Sequence, residues 1–243
     1  MTGIWHRVFD SVTRGAEMRG VLVKSFALAV CSTLLALPYF HYLMFEVLSE
    51  GLNSWGLLFM ELLLLFILCL LSSIIGLSFS KKFGLPGFGD PGSFNRSIPL
   101  LLTLGVVMIS LSYFLFDRYF YHVSPLSYPK NALCLISLPF KGAFTEEIIL
   151  RLCLVTLSVG FLKHKGAGVV LASVVATLFT IKYFHFIGIK YDLNYLFVTQ
   201  LLLSFTAHLL LGYLFVTRGL IYAMALKFLF CIKYGVVSWA MRI

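Results

Sequence analysis

The sequence predicts an all-α fold, a polytopic transmembrane helical bundle of about seven spans behind an N-terminal amphipathic segment. Three observations carry that prediction. Of the 243 residues, 60% are hydrophobic and 12% charged, whereas soluble domains are about half apolar and about a quarter charged. The apolar residues fall in successive runs of roughly 20 or more, the length that crosses a hydrocarbon layer of about 30 Å as a helix. The 24 Phe and 12 Tyr suit lipid-facing helices with aromatic residues near the interfaces. No soluble fold of this size could hide so much apolar surface, so lipid is the solvent for most of it.

Residues 1–20 carry Trp5, Phe9, Arg7, Arg14 and Arg19 and read as a cytoplasmic helix lying on the membrane surface. They have no apolar core or small-residue cleavage site, so no signal peptide is expected. Residues 21–243 read as one transmembrane bundle. Its spans are predicted near Val21–Phe45, Trp55–Ser80, Ile98–Phe116, Ala132–Phe161, Gly166–Phe186, Leu193–Val216 and Leu220–Ala240. The fourth run is too long for one simple crossing and contains Pro139, so a kink or partial re-entry is expected there. Lys81, Lys82 and the stretch Gly84–Gly92, with its two prolines and four glycines, form the one substantial loop on their side. There is no internal repeat.

Placing the N-terminus in the cytoplasm puts Arg7, Arg14, Arg19, Lys24, Lys81, Lys82, Arg96, Lys163, Lys165 and Arg218 on that side. Only Arg118, Lys130, Lys190 and Arg242 fall on the other. The asymmetry predicts an N-in multi-pass protein of the cell's inner or plasma membrane. It also accounts for much of the net charge of +9 without nucleic acid, since the basic residues are scattered rather than clustered. The five cysteines, Cys31, Cys69, Cys134, Cys153 and Cys231, all lie in apolar runs without a CxxC pair. They read as small buried apolar residues.

The informative residues are ionisable ones inside the spans: Lys141, Arg151, Lys182, Lys227, Lys233, Glu61, Glu146 and Glu147. Each costs a few kcal/mol or more at mid-bilayer unless paired or hydrated, so each is expected to face the bundle interior. Glu147 and Arg151 are four apart and stack on one helical face. Glu146 points roughly 100° away and has no local partner by this reading, with Gly142 and Thr145 leaving room beside it for water. A lone carboxylate in apolar surroundings is how a general base is made. Glu61 is expected to pair with a lysine of another span. His208 follows Ser204 by four and reads as a helix-packing hydrogen bond. His6 and His164 are placed in cytoplasmic segments, and His41 and His122 near the outer interface.

The run Gly142-Ala-Phe-Thr-Glu146-Glu147-Ile-Ile-Leu-Arg151 resembles the first motif of the CAAX-processing and bacteriocin-processing (CPBP) family of intramembrane endopeptidases. The resemblance extends over Ala172–Phe179 and over Leu211–Leu220, and covers residues of about 132–240. It implies a glutamate-dependent endopeptidase acting on a membrane-associated protein or peptide, with Glu146 activating water and with Glu147 and Arg151 completing the motif. It implies no cofactor, and membrane lipid as the surroundings. In the family a Phe-x-x-x-His motif and a His-x-x-x-Asn motif complete the site.

Here those two motifs depart from the pattern. Tyr183 stands at the second motif's histidine, with His185 two residues on, while Lys227 and Cys231 take the histidine and Asn/Asp positions of the third. Two readings stay open. In one, Tyr183 and Lys227 still donate to a developing oxyanion, and His185 or His208 assists. In the other, Lys227 pairs with Glu146, catalysis stops, and the chain is a silenced homologue that binds a membrane partner or confers immunity. A metal site is not expected, because Glu146, Glu147, His185 and His208 show no ligand spacing. A transporter is not favoured either, without an inverted repeat or paired broken helices.

Overall fold

The computed structural model describes residues 2–47, 54–123, 128, 131–186 and 195–241, with side chains described for 17–45, 55–123, 128, 131–180 and 195–241. Among the described residues the chain is almost entirely helical, without strands, the main exception being the loop at 83–90. The described residues form nine α-helices: α1 Thr2–Tyr42, α2 Ser54–Lys82, α3 Phe94–Ser112, α4 Arg118–Val123, α5 Ala132–Lys141, α6 Thr156–Leu162, α7 Lys165–Phe186, α8 Tyr195–Arg218 and α9 Leu220–Ala240. Several abut through π-helical turns. α3 runs through Tyr113–Asp117 into α4, and α5 runs through Gly142–Glu146 and Ile148–Val155 into α6.

Five of these stretches are long and apolar enough to cross a membrane: Glu17–Phe45, Trp55–Lys82, Pro91–Val123, Tyr195–Arg218 and Leu220–Ala240. The protein is an integral membrane protein. Its outward faces carry Phe59, Met60, Phe114, Phe161 and Trp239, each more than 60% exposed, which only lipid accommodates. The remaining two expected runs are not among those five within the described residues. Residues 132–162 carry Lys141, Glu146, Glu147 and Arg151 at their centre, and α7 contributes a shorter apolar stretch, Lys165–Thr180.

Other expectations need adjustment. The third span is longer than Ile98–Phe116, because the helix continues beyond Phe116 through a π turn. α1 continues unbroken across residue 20, so no backbone boundary marks off a surface segment there; the side chains of residues 1–16 lie outside the described ones. Cys31 is exposed and Cys153 half-buried, whereas Cys69, Cys134 and Cys231 are buried. Glu61 is exposed, and no ion pair involves it among the described residues.

Four connections meet on one face of the bundle. Lys81 Nζ reaches Glu17 Oε1 at 2.9 Å, and Lys165 Nζ donates to the Gly84 carbonyl at 2.8 Å. The backbone N–H groups of Leu220 and Ile221 donate to Gly87 and Phe88 carbonyls at 2.9 and 3.1 Å. The last contact depends on paired glycines. Gly89 and Gly219 have φ of +91° and +107°, a region open to glycine but strained for other residues. A Cβ on either would strike the backbone of the opposite segment. The loop is thereby pinned to the α8–α9 turn, which Arg218 reinforces by donating to Ser97 Oγ. Tyr222 adds its O–H to the Asp90 carbonyl at 2.8 Å.

The core centres on α8, α9 and the π-helical stretch between α5 and α6. Ile148, Leu152, Val155, Leu211, Phe215, Leu220 and Leu226 are fully buried there. α9 is the most enclosed of the five candidate spans. A helix with buried flanks can carry charges inward, and α9 carries Lys227 and Lys233.

Candidate functional site

The site begins with a helix that is not a regular α-helix. Pro139 has no N–H to give the ladder, and three residues later the backbone widens into the π-helical turn Gly142–Glu146. A second π-helical stretch, Ile148–Val155, follows Glu147. Wide turns of this kind cluster at functional sites. The expected kink or re-entry takes this form, a continuous helical path with its ladder re-spaced.

Re-spacing changes which side chains meet. On a regular helix Lys141 and Glu146, five apart, would point roughly 140° away from each other. The π turn brings them together, and Lys141 Nζ donates to Glu146 Oε1 at 3.0 Å. From α9, Lys227 Nζ reaches the other oxygen, Oε2, at 2.7 Å. Glu146 therefore does have a local partner, and the expectation that it stood alone fails because it assumed α-helical spacing. Gly142 and Glu146 still border a cavity, but the space that a side chain at Gly142 would need is filled by α9. A Cβ there would lie 2.6 Å from Cys231 Sγ and 3.4 Å from Lys227 Cε. Gly142 is the opening through which α9 approaches, and Lys227 and Cys231, four apart on α9, both use it. Lys141 also lies 5.0 Å above the ring of Tyr39 on α1.

Behind this group sits a fully buried pair. Glu147 and Arg151 are both 0% exposed, with Arg151 Nε 3.2 Å from Glu147 Oε2, the i to i+4 stacking that the spacing predicts. The geometry is an ionic contact without an aligned hydrogen bond, since neither Glu147 oxygen has a hydrogen-bond partner among the described residues. Arg151 is tied instead to α8: its Nη2 lies 2.7 Å from His208 Nδ1, so the unprotonated ring nitrogen accepts. His208 Nε2 is 3.5 Å from Thr180 Oγ1 on α7. His208 thus joins α8 to the motif helix and to α7, and not to Ser204, whose hydroxyl accepts from Gln200 at 3.3 Å.

A third charged cluster has no sequence precursor in the motif. Asp117, 0% exposed in the π turn between α3 and α4, accepts from Ser112 Oγ at 2.6 Å and Tyr128 Oη at 2.7 Å. Lys233 of α9 meets both its oxygens at 3.0 and 3.2 Å. Asp117 was not singled out from the sequence; the available signal is Ser112 five residues before, which the π turn Tyr113–Asp117 brings onto it.

Glu146, Lys141, Lys227, Cys231, His208, Asp117 and Lys233 line one cavity of about 450 Å³ between α1, α3, α5, α7, α8 and α9. Of the residues singled out from the sequence, Glu146, Lys227 and Cys231 are brought together, and Glu147 and Arg151 support them from behind. Tyr183 and His185 lie on the helical backbone of α7, but their side chains fall outside the described residues. Among the described residues no group of three or more His, Cys, Asp or Glu is placed to hold a metal ion. Comparison with protein-family models, with curated proteins and with solved structures finds no match to the chain.

Proposed function

We propose that this chain is a membrane-embedded binding protein built on a CPBP-type peptidase framework whose carboxylate is locked rather than catalytic. One observation carries the reading: each oxygen of Glu146 faces its own ammonium, Lys141 on one side and Lys227 on the other. A general base needs an oxygen within hydrogen-bond reach of the water it activates. Here each oxygen already accepts from a lysine ammonium, so a water must compete with both donors for the carboxylate. The motif helix keeps its shape because a carboxylate between two ammoniums fixes α5 against α9. The cavity beside it then serves to hold a membrane-borne partner, as a binding or immunity protein would.

The same reading places the chain in the membrane as seven passes with the N-terminus in the cytoplasm. The composite helix 132–162 and α7 join the five apolar spans, their charges being satisfied inside the bundle. In support, Glu17, Lys81, Gly84, Lys165 and the Gly219 turn meet on one face, as alternating passes require. That face holds Lys81, Lys82, Lys165 and Arg218, the side that positive charge favours.

The test is a mass-spectrometric digest of a library of membrane-associated peptides by the purified protein in nanodiscs, wild type against Glu146→Gln. A locked carboxylate gives identical peptide patterns. Cleavages made by the wild type and reduced about 10²–10⁴-fold in the variant, the usual contribution of an acid–base residue, would restore the peptidase reading.

A further inference from the structure

A groove of about 650 Å³ opens between α7 and α8 and shares no lining residue with the central cavity. Its α8 wall is Leu209, Leu210, Tyr213 and Val216, whose spacing puts them on one helical face. Its α7 wall is Val169. Two glycines shape it. Gly212 lets the two helices touch, since a Cβ on it would lie 2.8 Å from Val169 Cγ1. Near the start of α7, Gly166 lines the groove without a side chain to fill it. The first turn of α7 therefore leaves open the space beside the last turns of α8.

The groove faces lipid and runs inward from the polar face of the bundle. α8 is one of the five stretches able to cross a membrane, and Val170 and Tyr213 are exposed beside the groove. From Thr217 at its mouth to Leu209 at its inner end is about 12 Å along the helix axis, most of one leaflet of a hydrocarbon layer about 30 Å thick. At the mouth stands Lys165, whose Nζ donates to the Gly84 carbonyl at 2.8 Å. That bond holds the ammonium in place and uses one of its three N–H donors. Lys163, exposed, sits two residues away in the α6–α7 turn, with a left-handed φ of +53°. Neither lysine pairs with a carboxylate among the described residues. Cations at the membrane face above an apolar channel nearly a leaflet deep complement a lipid with an anionic head.

We propose that this groove binds an anionic glycerophospholipid, its phosphate on Lys165 and Lys163 and one acyl chain along the seam past Val169, Tyr213 and Leu209. A lipid whose phosphate is neutralised by its own headgroup ammonium makes the same chain contacts but brings no net charge to the lysines. A water-soluble phosphate brings the charge but has no chain for the groove. Glu146 and its two lysines take no part, so the site does not depend on the carboxylate being locked.

The experiment is native mass spectrometry of the purified, delipidated protein titrated with dioleoyl phosphatidylglycerol or dioleoyl phosphatidylcholine, which reads the Kd of the first lipid bound. Phosphatidylglycerol is expected to bind about 10-fold or more tightly, and Lys165→Met and Lys163→Met to weaken it about 5-fold each, the usual effect of one basic residue at an anionic membrane surface. Phosphatidylcholine should not respond to either variant. Gly166→Phe, which keeps every charge and fills the groove from an exposed position, should weaken both lipids alike. Lys24→Met removes another exposed cation from α1, which packs on α2 and α5 instead, and should leave both Kd values unchanged. Equal affinity for the two lipids overturns the proposal, as does a loss in Lys24→Met as large as in Lys165→Met. A phosphatidylglycerol Kd indifferent to Gly166→Phe also overturns it, since the head would then bind without the groove. Displacement by glycerol phosphate overturns it in favour of a soluble-anion site. None of these results touches the peptide digest, so the lipid site and the locked carboxylate fail separately.

Discussion

Arg151→Met lowers the stability of the detergent-solubilised protein by about 3–5 kcal/mol, the cost of leaving one member of a buried ion pair alone. The guanidinium is 0% exposed, as is Glu147, so water cannot replace it. Its loss strips the Glu147 carboxylate of its counter-charge, and neither of that carboxylate's oxygens has a hydrogen-bond partner among the described residues to soften the effect. It also removes the donor to His208 and so loosens α8 from the motif helix. Replacing both residues, Glu147→Leu with Arg151→Met, recovers most of the loss, because an apolar pair of similar volume is often no worse than the ion pair it replaces. Denaturant titration of the two single variants and the double variant checks this. A single variant within about 1 kcal/mol of the wild type would mean that the pair contributes only what an exposed pair does.

Asp117→Asn is the second large effect, again about 3–5 kcal/mol. Asp117 is 0% exposed and is the common acceptor for Ser112, Tyr128 and Lys233. An amide keeps the shape but carries no charge, so Lys233 is left with only the Ser112 hydroxyl at 2.8 Å and with one amide oxygen shared among three donors. Lys233→Met costs less, since Asp117 keeps two O–H donors. The same titrations read this order, Asp117→Asn below Lys233→Met below wild type. The reverse order would place the cost on the lysine and contradict the geometry.

These clusters show what a sequence makes legible in such a chain. The bundle was legible because hydropathy alone dictates helices in lipid, and the buried Glu147–Arg151 pair because i to i+4 is a local rule. Lys141–Glu146 and Ser112–Asp117 were hidden for one shared reason. Both span five residues and meet only where the helix widens into a π turn, a feature that no residue pattern announces beyond a nearby Pro139 or Gly142. Arg151–His208 and Lys233–Asp117 are tertiary contacts between helices distant in sequence, and local periodicity carries no information about them. Glu61 failed in the opposite sense. Its charge suggested a buried partner, yet α2 turns it outward among Phe59, Met60 and Leu64.

The locked carboxylate is tested most directly by a double-mutant cycle on Glu146→Gln and Lys227→Met, read by thermal or denaturant unfolding in one detergent. The Glu146 side chain is 33% exposed, so each single effect is smaller than that of Arg151→Met. Glu146→Gln costs more than Lys227→Met, because it leaves Lys141 and Lys227 without their shared counter-charge. The account predicts a coupling between the two positions of about 1–3 kcal/mol, as for residues in one ionic network. Additive effects, within about 0.5 kcal/mol, would mean that Glu146 is free of Lys227 and able to act on water, and would contradict it.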